Sequence, residues 1–331
     1  MDRLGLTLGL VGAPLEEALD ICRTAEDLGY TDVWSAEVGG TDAFAVLAAL
    51  APLTEQIRLG TAITPVFTRP AALLAMGAAT VQNLSKGRFV LGLGTSSRII
   101  VERWMGGNFS EPLPTLEDAV VAVREIFSGK KVTREGRMPV RDFRLEIGVE
   151  APPVYIAALG PKACRLAGRI AVGVIFFLKT AHGVRVALEH VHAGAREAGR
   201  NPAELDVVAR IPVALDEDPD LYRYMSQRLI TNYAMVDVYN RSLADQGFAE
   251  EVAAVTEAWA AGDRGSASAA VTDEMIDALQ IHGDADAARG RLEEFKEAGV
   301  KTPVLFPFSL AGDPADISTN VRRVVQLMAP G

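Results

Sequence analysis

Asp27-Leu28-Gly29-Tyr30-Thr31-Asp32-Val33-Trp34 joins two kinds of periodicity, and the join recurs along the chain. Upstream, Leu15, Ala18, Leu19, Cys22, Ala25 and Leu28 recur at i, i+3, i+4, i+7 spacing, which builds one apolar stripe on a helix. Gly29 falls just past that helix, where a left-handed residue caps the last turn. The run beyond it reads as a strand buried on both faces, as parallel sheets require. The same join returns at Ser85-Lys86-Gly87-Arg88-Phe89-Val90-Leu91-Gly92, at Leu166-Ala167-Gly168-Arg169-Ile170 and at Glu297-Ala298-Gly299-Val300. Eight strands are predicted, over 4–10, 32–36, 57–63, 89–94, 153–158, 172–177, 206–214 and 303–307. Helical segments separate nearly all of them. Such alternation makes a parallel sheet, open or closed. Eight units favour a closed (β/α)8 TIM barrel. The glycine fingerprint of an open dinucleotide-binding sheet is missing, because Gly9-Leu10-Val11-Gly12-Ala13-Pro14 lacks a third glycine in place.

A bare barrel takes about 250 residues. The 331 residues therefore leave room for insertions, expected at about 129–149 (a small hairpin or loop) and 218–281 (long helices before the last strand). No linker or low-complexity tract divides the chain, so 1–331 is expected to form one domain. An apolar fraction of 49% with 23% charged residues excludes disorder. No apolar stretch reaches the roughly 18–20 residues of a membrane span, and the N-terminus lacks the features of a signal peptide. A formal charge of −10 gives no overall basic field for nucleic acid or anionic lipid. Cys22 and Cys164 show neither zinc spacing nor a disulfide framework, which places the chain in a reducing cytoplasm. His182, His190, His192 and His282 form no metal spacing, so no metal is expected. The absence of a G-x-S-x-G elbow, a P-loop and C-x-x-C argues against hydrolase, NTPase and thiol-redox chemistry.

Active sites of such barrels form where the strands end. Two strand exits suit an anion. Gly94-Thr95-Ser96-Ser97 offers hydroxyls and little bulk. Ala158-Leu159-Gly160 leads into a helix at Pro161, whose N-terminus carries free N–H donors. Either loop alone is equally a tight turn; together they point to phosphate. Glu37 leaves the second strand at the same face. It suits a proton-donor or orienting role, or an ion pair with Arg69. Arg69 suits a cofactor phosphate or a substrate carboxylate as well as that pair. Asp42 reads as a helix start, and Glu102 and Trp104 as part of the mouth or of a surface helix.

Trp34-Ser35-Ala36-Glu37, Ile57-Arg58-Leu59-Gly60-Thr61, Thr68-Arg69-Pro70, Ser85 through Ser96, and Val154 through Lys162 together resemble the bacterial luciferase-like monooxygenase superfamily. The likeness is nearest to the branch that uses the deazaflavin coenzyme F420 and contains methylenetetrahydromethanopterin reductase. It implies a ring bound at the strand exits against a bulge with a non-prolyl cis peptide, which falls here at Ala62–Ile63, followed by Thr64. The cofactor-binding set then comprises Ala62, Ile63, Thr64, Gly94, Thr95, Ser96, Ser97, Ala158, Leu159, Gly160 and Pro161. The implied activity is F420-dependent hydride transfer to or from a small organic substrate. The alternatives are an FMN-dependent two-component monooxygenase and a catalytically silent homologue. A homodimer is expected, built on the apolar helices beside the early strands. Arg69, Arg98, Arg103, Lys162 and Arg165 are expected to form a basic rim for the acidic tail of F420. Departures from the family pattern are Val172, where an Asp is common, Met105, where a His is common, and a first strand without an acid.

Overall fold

The computed structural model describes residues 3–8, 14–308 and 314–330. Eight parallel strands close on themselves: β1 (Gly5–Leu8), β2 (Asp32–Ser35), β3 (Arg58–Thr61), β4 (Phe89–Gly94), β5 (Val154–Ala157), β6 (Gly173–Phe177), β7 (Asp206–Leu215) and β8 (Thr302–Pro307). β7 bonds both β6 and β8, and β8 bonds β1, which shuts the cylinder as the eightfold alternation predicts. The last two residues expected in the first strand lie outside the described residues. Helices α1 (Leu15–Asp27), α2 (Ala43–Leu50), α3 (Ala71–Leu84), α4 (Pro112–Ile126), α5 (Pro161–Ile170) and α6 (Ala181–Glu197) ring the sheet.

Residues 129–149 hold an antiparallel pair, Val132–Arg134 with Val140–Phe143. After β7 come α7 (Pro219–Ala234), α8 (Asp237–Leu243), α9 (Ala249–Ala260), α10 (Arg264–Ala269) and α11 (Asp273–Leu279). Long helices were expected there, and five mostly short ones are found. Asp218, Asp263 and Thr272 each accept a backbone N–H and begin a new helix. Gly247, at φ 105°, breaks the chain between α8 and α9. A short strand, Ile281–Gly283, then adds to β7 outside the barrel, which sequence reading did not foresee. α12 (Ala285–Glu297) and α13 (Pro314–Leu327) complete the ring.

Inside the cylinder the inward side chains stack in layers. At the strand starts, Arg58 bonds Asp32, donates to the Tyr155 hydroxyl at 2.9 Å and reaches Asp206 at 3.1 Å. Above it, Trp34, Val90, Tyr155, Ile175, Val208 and Val304 form a buried plug. The third layer, at the strand ends, contains Ala62, Phe177, Arg210 and Phe306 and opens towards the loops. Among the described residues, no helix is long and apolar enough to cross a membrane.

Candidate active site at the strand exits

The exit of β3 is the most specialised backbone of the barrel. Gly60 pairs with Val90 and Thr64 with Leu93, so four steps along one strand answer three along the other. The extra residue makes a bulge. Within it the Ala62–Ile63 peptide is cis, as the resemblance implies. Neighbouring groups hold the bulge on each side. Ala62 donates its N–H to the Ser35 carbonyl at 2.6 Å, and the Ile63 carbonyl accepts from the Glu37 N–H at 3.1 Å. Thr61 Oγ1 donates to the Gly92 carbonyl at 2.7 Å and accepts the Gly92 N–H at 2.9 Å. A Cβ on Gly94 would meet Ile63 at 2.8 Å, so glycine there lets the bulge lie against β4. Ala62 is buried and Ile63 partly exposed at this strand exit. Thr64, expected beside them, is fully covered, and its hydroxyl has no partner among the described residues.

The two loops expected to hold an anion stand side by side, because β4 pairs with β5 and Gly94 abuts Ala157. Ser96 takes a left-handed backbone at φ 59°. Ser97 is nearly buried, its hydroxyl 3.4 Å from the Ile100 N–H. At α5, Gly160 occupies the cap with no side-chain cap, and Pro161 has no N–H to give. The first helical N–H to turn inward is that of Cys164, to the Gly160 carbonyl at 3.0 Å. Those of Lys162 and Ala163 face off the helix end. No atom lies within 4 Å of where a Gly160 Cβ would stand, so the space above the helix end is open. Ala158 is buried, and Leu159 is partly exposed at the rim. These groups fit a phosphate: amide donors, hydroxyls, a positive helix end and room.

Glu37 is not free at this face. Arg69 grips both its oxygens, with Oε1 at 2.6 Å and Oε2 at 3.5 Å, and the Ala43 N–H lies 3.3 Å from Oε1. Arg69 also bonds Asp42, which caps α2 through the Ala45 N–H at 2.9 Å. The geometry thus gives the ion pair that sequence reading set beside the proton-donor role. The expected basic rim is largely neutralised. Arg69 is paired with these acids, Arg98 with Glu102 and Arg165 with Glu197, while Arg103 and Lys162 make no ion pair among the described residues. Glu102 also accepts the Phe109 N–H at 3.2 Å and so ties the 98–109 loop together. Trp104 is 57% exposed and stands over Gly39 of the β2–α2 loop.

Three groups escaped sequence reading. Arg210 points inward from β7, Lys179 follows the end of β6, and Tyr233 and Tyr239 come from the insertion. Lys179 is buried with a single hydrogen-bond partner among the described residues, the Ser242 hydroxyl at 2.9 Å, and burial lowers its pKa. The signal for Arg210 was a charge inside the apolar run Val207-Val208-Ala209-Arg210-Ile211. The departures are also placed. Val172 is exposed just ahead of β6, at the end of the barrel opposite the mouth. Met105 is exposed on the rim. A cavity of about 500 Å³, lined by Leu188, His192, Pro202 and Lys301, also lies at the end opposite the mouth.

A closed parallel barrel with two small-residue loops and a bulged third strand at its mouth is a scaffold of the enzyme type. The chain belongs to the luciferase-like monooxygenase family, whose model matches residues 3–302. It is 30% identical to the 5,10-methylenetetrahydromethanopterin reductase of Methanolobus tindarius, over 98% of each chain. The structure of the coenzyme F420-dependent tetrahydromethanopterin reductase of Methanopyrus kandleri matches with a TM-score of 0.78 and 25% identity, covering 99% of this chain and 97% of that one. An F420-dependent secondary alcohol dehydrogenase, solved with an F420–acetone adduct, matches equally well in fold at 20% identity, with 99% of each chain covered.

Proposed function

We propose that this protein is an F420-dependent oxidoreductase that moves a hydride between the deazaflavin and a small organic substrate. The observation that supports it best is the end-to-end likeness to the F420-dependent reductase of Methanopyrus kandleri. The mouth fits the group. Gly94–Ser97 and the N–H groups of Lys162 and Ala163 would hold its phosphate, Lys162 its acidic tail, and Ala62 and Ile63 would border its ring. Bound there, the deazaflavin supplies a carbon that gives or takes a hydride. The chain supplies orientation: the braced bulge fixes one wall, and the helix end fixes the phosphate. Glu37, held by Arg69 and Asp42, acts in this reading as a positioning group that sets the β2 exit. The insertion walls the mouth through Tyr233 and Tyr239. We also propose that residues 1–331 form one domain, that two copies associate, and that the buried free thiols of Cys22 and Cys164 reflect a reducing, cytoplasmic setting.

Fluorescence titration of the purified protein with F420 and with FMN tests the reading. F420 is expected to bind at least tenfold more tightly than FMN. Binding of FMN alone would replace the reading with a two-component monooxygenase, and binding of neither would replace it with a silent homologue.

A further inference from the structure

Two arginines reach into the barrel from opposite ends, and their surroundings differ in kind. Arg58, at the strand starts, is neutralised by Asp32 and Asp206. Arg210, at the strand ends, meets no carboxylate among the described residues. Its Nη1 donates to the Ala62 carbonyl at 3.0 Å, and its Nε lies 3.4 Å from Thr7 Oγ1. Its guanidinium sits 5.2 Å from the Phe177 ring centre and 5.0 Å from that of Phe306. Tyr233 and Tyr239 pack on Phe177, their ring centres 5.1 Å and 6.3 Å from its own, near enough for their hydroxyls to feel the Arg210 charge. Protein surrounds the guanidinium on most sides, yet the residue stays partly exposed, and the third layer is the one that opens to the mouth.

This set is rich in donors. A guanidinium has five N–H groups and remains charged in proteins. Two of the five have acceptors here, both of them neutral. The hydroxyls of Tyr233 and Tyr239 make no hydrogen bond among the described residues, and burial raises the pKa of both, so they stay protonated donors. A cation kept out of water without a counter-ion is costly to a fold. The complement of a planar fork with two hydroxyl donors nearby is a group that only accepts, is planar and is negative: a carboxylate. The rings of Phe177 and Phe306 beside it suit an apolar body.

We infer that Arg210, with Tyr233 and Tyr239, recognises the carboxylate of a small organic acid whose apolar part lies along Phe177 and Phe306. As a statement about substrate class, this rests on the oxidoreductase reading above. As a binding site, it is testable without the cofactor.

The test is isothermal titration of the cofactor-free full chain with benzoate and propionate, against benzamide and propionamide as neutral counterparts. At least one acid is expected to bind, and at least tenfold more tightly than its amide. Arg210→Met keeps the side chain's length and its place between the rings but removes the charge. It should weaken acid binding at least tenfold and amide binding by much less, so that the preference for the acid disappears. Arg210→Lys keeps the charge without the fork and should fall between, and Tyr233→Phe should lose a few-fold. The two milder variants carry the test should the methionine variant melt early. Acids and amides binding alike, neither acid binding, or folded variants that bind the acid like the wild type would each overturn the site. F420 titrated in parallel separates the two claims. F420 bound without an Arg210-dependent acid refutes this inference alone. An Arg210-dependent acid bound without F420 refutes the oxidoreductase reading and leaves the carboxylate site standing.

Discussion

Asp206 shows how one inward side chain couples fold to pH. Burial pushes its carboxyl pKa up, but the charge of Arg58, the Tyr155 hydroxyl and Arg3 outweigh it, and the net pKa is lowered. A carboxyl whose pKa is lower folded than unfolded adds stability above its unfolded value, near 3.9, and loses it as pH falls through the folded value. Asp206→Asn should therefore cost about 2 kcal/mol at neutral pH, the loss of a charged hydrogen-bond acceptor. It should also flatten the acid side of the stability curve. Urea midpoints measured from pH 7 down to pH 2.5 check this, and parallel curves for variant and wild type would refute it. Single residues were unevenly legible. The Ala62–Ile63 cis bond could be named only because the resemblance implied it, whereas Gly94 and Gly160 could be named from the small residues that local sequence places at a strand exit. The carboxylate of Glu37 could be placed at the mouth, but its grip by Arg69 depends on the fold. Tyr233 and Tyr239 gave no signal, since only the docking of the insertion brings them to Phe177.

The α5 start carries a contradiction that can be exploited. An uncapped helix end forgoes a hydrogen bond, and glycine at that cap forgoes only a few tenths of a kcal/mol relative to Asp. Gly160→Asp has room for its side chain, since nothing lies within 4 Å of the Cβ position. The new carboxylate would accept the N–H groups of the first turn and sit well with the helix dipole. Stability should hold or rise by a few tenths of a kcal/mol, while a phosphate would meet a negative charge where it needs donors. Affinity for F420 should then fall at least tenfold with an unchanged or higher melting temperature, read by fluorescence titration and calorimetry on the same sample. Affinity unchanged at a higher melting temperature would place the phosphate elsewhere. Helices and strands around this site were legible because Gly after each stripe and buried runs beyond it repeat. The helices expected at 218–281 are found, α7 with 16 residues and α9 with 12, but the division of the rest into short helices at Gly247 and Thr272 was not legible, because periodicity alone does not say where a break or a cap interrupts it.

Closure of the barrel was legible because the helix–strand join recurs along the chain and eight strands favour a cylinder over an open sheet that lacks its glycine fingerprint. What repetition does not encode is the outer surface. α3 buries Leu74, Ala75 and Ala78 against the sheet, yet Leu73, Met76 and Leu84 are 44%, 48% and 42% exposed, with Leu53 at 48%. Leu73, Met76 and Leu84 fall on the outward side of one helix that carries no charged residue. An apolar stripe of this kind on the outside of a barrel favours a second copy, since burying it removes apolar surface from water at about 25 cal/mol per Å². We propose α3 as the core of the dimer. Met76→Glu would place a charge in the middle of that contact and leave the barrel interior untouched. In sedimentation velocity at micromolar concentration the wild type should run as a dimer and the variant as a monomer, with matching circular dichroism. A wild-type monomer, or a variant that remains dimeric, would move the interface off this helix.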